Sequence, residues 1–176
     1  MDERSRDAAE RAAQARVDEA GGAAAARALL RAQSSGVLCT QSARRPGFPS
    51  ASLVPYALSG AGEPLLLLSA IAQHSRTLEA DPRACLFVHD AEAAARDPRT
   101  APRLAIYGEV ARLAAGPETD AVARYLSRHP SARGLLAMDF RLHRLVVEEA
   151  QWVGGFAAAG WLGADELREP GDSTPA

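Results

Sequence analysis

The chain contains no lysine: all 20 of its basic residues are arginine. This rules out every reaction that runs through a lysine Schiff base, covalent pyridoxal-phosphate catalysis included. It also rules out a Walker-type phosphate loop, which needs its lysine. Asparagine is missing too, so turns must rely on Gly, Pro, Asp and Ser in place of Asn-Gly hairpins. Only two cysteines are present, Cys39 and Cys85, each inside an apolar strand-like run (GVLCT and RACLFVHD). Well separated in sequence, they read as buried thiols, making neither a metal cluster nor a disulfide framework. A formal charge of -2 gives no electrostatic reason to expect nucleic acid. The start MDERSRDAAERAAQARVDEAGG lacks the apolar centre of a signal peptide, and no run approaches the roughly 20 apolar residues of a membrane span. The expectation is a cytoplasmic protein with reduced cysteines and neither membrane nor nucleic-acid partners.

At 176 residues the chain is long enough for one self-supporting core. Residues 1–22 read as a polar, flexible leader, 23–163 as the folded domain and 164–176 as a disordered tail. Within the domain, AAAARALLRAQ carries Ala26, Leu29 and Leu30 at helical spacing and stops at Ser34-Ser35-Gly36. Strands follow at GVLCTQ, SASLVPYAL and PLLLLS. Pro55 marks an edge, a bulge or a strand end, and PLLLLS is apolar enough to be buried on both faces.

AQHSRTLEAD reads as a short helix, RACLFVHD as a fourth strand, AEAAARDPRTAP as a loop, and PRLAIYGEVARLA as a fifth strand with a bulge at Gly108. PETDAVARYLSRHP is a helix with Pro117, Glu118 and Asp120 at its start and Arg128 and His129 at its end. FRLHRLVVEEA and QWVGGF give two further strands, followed by AAGWL. Six or seven strands joined mostly by short links predict a mainly β, α+β fold: a small antiparallel barrel with peripheral helices.

The stretch from Ser50 to Leu78 concentrates the chemistry. Two apolar strands end on Ser69, and His74, Ser75, Arg76 and Thr77 follow within a turn or two of helix. Hydroxyls, a helix N-terminus and a cation are what a phosphate monoester needs. No metal-ligand spacing, dinucleotide fingerprint or Ser-His-Asp elbow occurs.

Taken in order, SLVPY, PLLLLS, the His-Ser-Arg-x-Leu helix, DPRACLFV, PRLAIYGEV and the closing VGGF resemble the FMN-binding split barrels typified by pyridoxamine 5′-phosphate oxidase. Within that superfamily the chain is most similar to the HugZ-like haem-utilisation group, from about Ala25 to Leu162. The resemblance implies a homodimeric split β-barrel with FMN bound non-covalently at the subunit interface. The phosphate would lie at Ser69, His74, Ser75 and Arg76, with Arg103 as a further cation. Ser50 and Ser52 would face the ribityl chain or phosphate, and the backbone of Leu53 and Val54 the flavin edge. Gly154, Gly155, Phe156 and Trp161 of a second subunit would wall the ring. The chain departs from its relatives at Ala157-Ala158-Ala159, where Gly-Arg-Ala is usual, and at Thr77, where asparagine is common.

These residues also have plainer roles open to them. Ser69 could cap the next helix, His74 and Arg76 could be solvated, and Arg103 could guard a strand edge. His89-Asp90 lacks a nucleophile, and His143, alternating with Arg141, reads as solvent-facing. The leading expectation is an FMN-dependent oxidoreductase acting on a small molecule, with no general base assigned. The alternatives are a haem-binding or haem-degrading barrel, whose axial ligand would come from a His, Cys or Tyr, and a cofactor-free dimeric binding module.

Overall fold

Alternating apolar residues build the wall of a barrel, and the computed structural model describes residues 7, 11–15, 17–18, 21–114, 119–155 and 158–168 of it. Among the described residues the chain forms seven strands: β1 (Ser35–Gln41), β2 (Pro49–Leu58), β3 (Pro64–Ser69), β4 (Arg83–His89), β5 (Arg103–Arg112), β6 (Phe140–Val153) and β7 (Ala159–Gly163). They pair antiparallel in the order β3-β2-β1-β4-β5-β6-β7, and β3 also pairs with β6. That second pairing closes six strands into a barrel and leaves β7 as an outer strand. The expected antiparallel barrel with peripheral helices is the fold observed.

The core follows from the two-residue period of a strand. Ala84, Leu86 and Val88 of β4 point inward and are buried, while Arg83, Cys85, Phe87 and His89 turn outward. β3 is buried on both faces, as its leucines require. Leu66 and Leu68 enter the barrel, while Leu65 and Leu67 pack with Val122 and Tyr125 in a second cluster. Each such leucine contributes about 2 kcal/mol by leaving water.

Two strands serve two neighbours along one length. β2 pairs with β1 up to Pro55 and with β3 from Tyr56 to Leu58, so the proline sits where the strand changes partner. β6 gives Phe140–Arg144 to β3 and Glu149–Val153 to β7, with β5 on its other side. It is one continuous strand where two were expected, because no breaker occurs before Gly154. The predicted bulge is present: the β5–β6 register shifts between Tyr107 and Gly108. A Cβ on Gly108 would stand 2.0 Å from the Val146 carbonyl oxygen, so only glycine fits there.

α1 (Gly22–Ala32) buries Ala26, Leu29 and Leu30, as its spacing predicts. α2 (Gln73–Ala80) follows β3, and α3 (Ala91–Arg96) occupies what reads in sequence as a loop. Asp90 nucleates α3 by accepting from the Ala93 amide at 2.8 Å, so the alanines after it propagate a helix. α4 (Asp120–Arg128) is capped by Thr119, which accepts from the Val122 amide at 3.3 Å; Pro117 and Glu118 lie outside the described residues. A 3-10 helix (Pro130–Ala137) links α4 to β6.

Both ends reach further into the fold than composition suggests. Val17, in the expected leader, is 1% exposed within the main core. Gln14 clasps the Trp161 backbone, donating to its carbonyl at 3.0 Å and accepting from its amide at 2.8 Å. At the other end, α5 (Ala164–Leu167) stands where a disordered tail was expected, with Leu167 buried. Among the described residues no helix is long and apolar enough to cross a membrane.

Candidate functional site

β3 delivers Ser69 to a corner where the chain turns into α2. The Ser69 hydroxyl donates to the Asp139 carboxylate, and that bond first of all holds Asp139 below the usual carboxylate range. Ser75 is buried and donates to the Ser69 carbonyl at 2.6 Å, and Thr77 donates to the Gln73 carbonyl at 3.1 Å. The position preceding α2 is Ala72, so Ser69 does not cap the helix. Arg76 is exposed. This corner is a poor cradle for a phosphate. Its hydroxyl protons are taken up by protein acceptors, and Asp139 adds a charge that repels an anion.

Imidazoles dominate instead. His74 is half-buried, its Nε2 atom is enclosed without a hydrogen-bond partner, and burial pushes its pKa down. Against the Ser75 face of α2 opens a cavity of about 250 Å³, lined by Ser75, Glu79, Val110, Arg112, Arg141 and His143 among others. His143 Nδ1 lies 2.9 Å from the Arg141 carbonyl oxygen. A carbonyl only accepts, so Nδ1 carries the proton and Nε2 keeps its lone pair.

Burial lowers the His143 pKa most, the carbonyl contact opposes this, and the charges of Arg112 and His74 lower it further. The Arg141 guanidinium donates to the Met138 and Phe140 carbonyls, both at 2.8 Å. Beside the corner, Ile71 and Met138 are 71% and 59% exposed, two large apolar side chains facing water. A neutral imidazole, two guanidinium groups on one cavity and an apolar rim suit a metal-bearing organic anion better than a phosphate ester.

The other predicted residues lie elsewhere. Ser50 and Ser52 oppose Thr40 and Leu38 on the inward side of β2, Val54 is buried, and Leu53 turns outward at 78% exposure. From Pro49 to Pro55 β2 pairs only with β1, which leaves alternate backbone groups on its other edge open. Arg103 donates to the Ala101 carbonyl at 3.2 Å and opens β5, whereas Arg112 ends it, about 30 Å away at strand rise. Arg103 therefore cannot replace a cation at the Ser69 corner of its own chain; Arg112 and Arg141 stand there.

Gly154 and Gly155 sit at the Arg103 end. The Gly154 amide donates to Ala158 at 2.8 Å, and Gly155 takes φ 130°. Phe156 lies outside the described residues. Trp161 is 47% exposed, with its ring 5.8 Å from Tyr107.

Leu53 and Trp161 belong to one outward row, Leu53–Val37–Phe87–Ala105–Gln151–Trp161. They stand at its two edges, about 24 Å apart at the spacing of neighbouring strands. The expected site residues therefore fall into two groups that one chain does not bring together.

The remaining histidines have structural surroundings. His129 Nε2 contacts the Tyr56 carbonyl at 2.8 Å and its ring packs on Tyr125; His89 stacks on Phe87. A larger cleft of about 480 Å³ carries Arg31, Arg124 and Arg128. Arg128 there closes the end of α1 by donating to the carbonyls of Arg31, Ala32 and Gln33, and Arg124 pairs with Asp120.

Sequence reasoning missed Arg112 and Arg141, and placed His143, one of four histidines open to haem ligation, on a solvent face. Alternation along β6 suggested solvent, and only the pairing of β6 with both β3 and β5 turns these residues toward a cavity.

Residues 17–168 match the family described as CREG, beta-barrel. The chain belongs to this family. It is 32% identical over 143 residues to the non-canonical heme oxygenase HOZ, chloroplastic, of Arabidopsis thaliana, covering 80% of this chain and 42% of that protein. A heme binding protein from Mycobacterium smegmatis is 30% identical with a TM-score of 0.71, over 81% of this chain and 57% of that one. The chain thus spans about two-fifths and just over half of these two relatives. A Clostridium acetobutylicum protein of the pyridoxinephosphate oxidase family has a TM-score of 0.60 at 13% identity, over 82% of this chain and 96% of that one. That likeness is one of fold alone: both chains form a split barrel.

Proposed function

We propose that this protein binds haem at the corner formed by β3, α2, β5 and β6. The observation that carries the reading is His143: an imidazole held through Nδ1, with its charged form disfavoured by burial, that lines a cavity together with Arg112 and Arg141. Iron-binding histidines use this arrangement, with the second ring nitrogen fixed by a carbonyl. His143 would face the iron, Arg112 and Arg141 the propionates, and Ile71 and Met138 the macrocycle edge. Bound haem supplies a redox-active iron, and the chain supplies orientation and partial shielding from water. Relatedness to two haem-handling proteins at 30% identity or above supports the same reading.

Two copies of the chain, joined through the outward row from Leu53 to Trp161, are part of the proposal. Exposed Leu53 and Trp161 at the two edges of the row, with half-buried Val37 and Phe87 between them and an open strand edge beside Leu53, support such pairing.

Hemin titration of the purified protein tests the reading. A Soret band should appear, and His143→Ala should weaken binding by at least roughly tenfold while His89→Ala leaves it unchanged. Equal binding by His143→Ala would place the iron elsewhere. With reductant and oxygen, loss of the band marks haem degradation, and a stable band marks carriage or storage.

The second reading is a flavin oxidoreductase. The α2 N-terminus carries no side-chain cap and so offers backbone amides to a phosphate. A flavin spectrum, with no response to hemin, would select it.

A further inference from the structure

Cys39 and Cys85, distant in sequence, are direct partners in the register of β1 and β4. Opposed residues of an antiparallel pair put their side chains on one face, with Cα atoms about 4.5–5.5 Å apart. A disulfide spans Cα separations of about 4.4–6.8 Å, so the register already meets its main requirement. Both thiols are free and half-buried. Cys39 has only a long 4.0 Å contact from its sulfur to the Val37 carbonyl, so little holds it away from its partner. A cavity of about 230 Å³ opens onto the pair, lined by both cysteines with Pro49, Arg83 and Tyr107 among others. The reading of two unrelated buried thiols is therefore corrected: the barrel makes them a cross-strand dithiol.

We propose that Cys39 and Cys85 are a redox modification site that closes to an intrachain disulfide under peroxide. One thiolate attacks a peroxide oxygen, the O–O bond breaks, and after protonation water leaves a sulfenic acid behind. The second thiol then attacks that sulfur; the S–S bond forms, the S–O bond breaks, and a second water departs. In sum two thiols lose two electrons and two protons, and one peroxide becomes two waters. A small-molecule dithiol reverses the bond by exchange.

The surroundings set the speed. Burial pushes both thiols up, Cys85 to about 11 with a further contribution from Cys39. The charged and titratable groups nearby are Arg83 on β4, Tyr107 and Glu109 on β5 and Glu149 on β6; β1 and the opposing residues of β2 carry no charge. Thiolate is scarce near neutrality, so closure is slow there and accelerates by up to about tenfold per pH unit. The same scarcity removes the thiolate stabilisation that would favour reopening, so the bond persists once made. Tyr107, opposite Cys85 and close to Trp161, puts a fluorescent reporter two side chains from the bond.

The test uses the full chain, reduced, freed of reductant and exposed to hydrogen peroxide. Thiol titration should show both thiols lost together, intact mass should fall by two hydrogens, and dithiothreitol should restore both. Cys39→Ser and Cys85→Ser should instead accumulate a sulfenic acid trapped by dimedone. Thiols that survive peroxide, masses that rise by oxygen atoms in the unmutated chain, or disulfides only between chains would each overturn the proposal. So would a rate of closure independent of pH.

Discussion

The two ends of the barrel use their polar residues differently. Where β4 reaches His89 and β5 opens at Arg103, polar groups have local duties. Asp90 caps α3, Arg103 holds the Ala101 carbonyl, and the Gly154 amide meets Ala158. Where β3 turns into α2, the enclosed Nε2 of His74 has no partner, and His143 lines a cavity. A fold satisfies the polar groups it buries, so a group left over at one end marks where something from outside belongs. The surplus lies with the imidazole of His74, whereas the hydroxyls that suggested a phosphate are bonded within the protein.

The severest way to break the comparison is to detach the ends from each other. β5 runs between them, and its register against β6 depends on Gly108, where a Cβ would meet the Val146 carbonyl oxygen at 2.0 Å. Gly108→Ala should therefore cost about 3–4 kcal/mol, read as a lower urea midpoint at unchanged slope. A loss below about 1 kcal/mol would show that the bulge relaxes locally and does not fix the position of Arg112 against His143.

A smaller and sharper effect comes from exchanging charges end for end. Arg112→Gln should weaken hemin binding by roughly tenfold, about 1.4 kcal/mol, by removing one guanidinium from the cavity. Arg103→Gln, at the far end of the same strand, should leave affinity unchanged. The reverse pattern would move the site to the Arg103, Gly154 and Gly155 end.

Much of the barrel was legible because its strands obey simple alternation and its breakers are few. PLLLLS announced a strand buried on both faces, and Gly108 announced a bulge. Pro55 announced an irregular position, and the structure supplies its cause in the change of partner from β1 to β3. What stayed hidden was pairing. No local pattern says that Phe140–Arg144 will run beside β3, so His143 looked solvated and Arg141 unremarkable. Nor does spacing reveal that Cys39 faces Cys85, or that Val17, in a stretch without a clear apolar stripe, completes the main core. Ser69 reads as a phosphate ligand or a helix cap, whereas its partner in the fold is Asp139, in a segment that reads only as the link to a strand.

The mildest probe is pH. His74 and His143 both titrate below the ordinary 6.5 in the folded chain, chiefly because burial disfavours their charged forms. The unfolded chain then binds more protons between the folded value and 6.5, so stability falls as the pH drops through that window. Above about pH 7 both states hold neutral imidazoles and these two contribute no slope. Asp139 acts separately, because its lowered pKa keeps its contribution intact down to the ordinary 3.8 and loses it only below. Chemical denaturation at a series of pH values should thus show one decline beginning near 6.5 and another beginning below 3.8. His143→Gln should flatten the first and spare the second. An unchanged first decline in that variant would mean that His143 is no more buried than a surface imidazole, and the two ends of the barrel would then be alike.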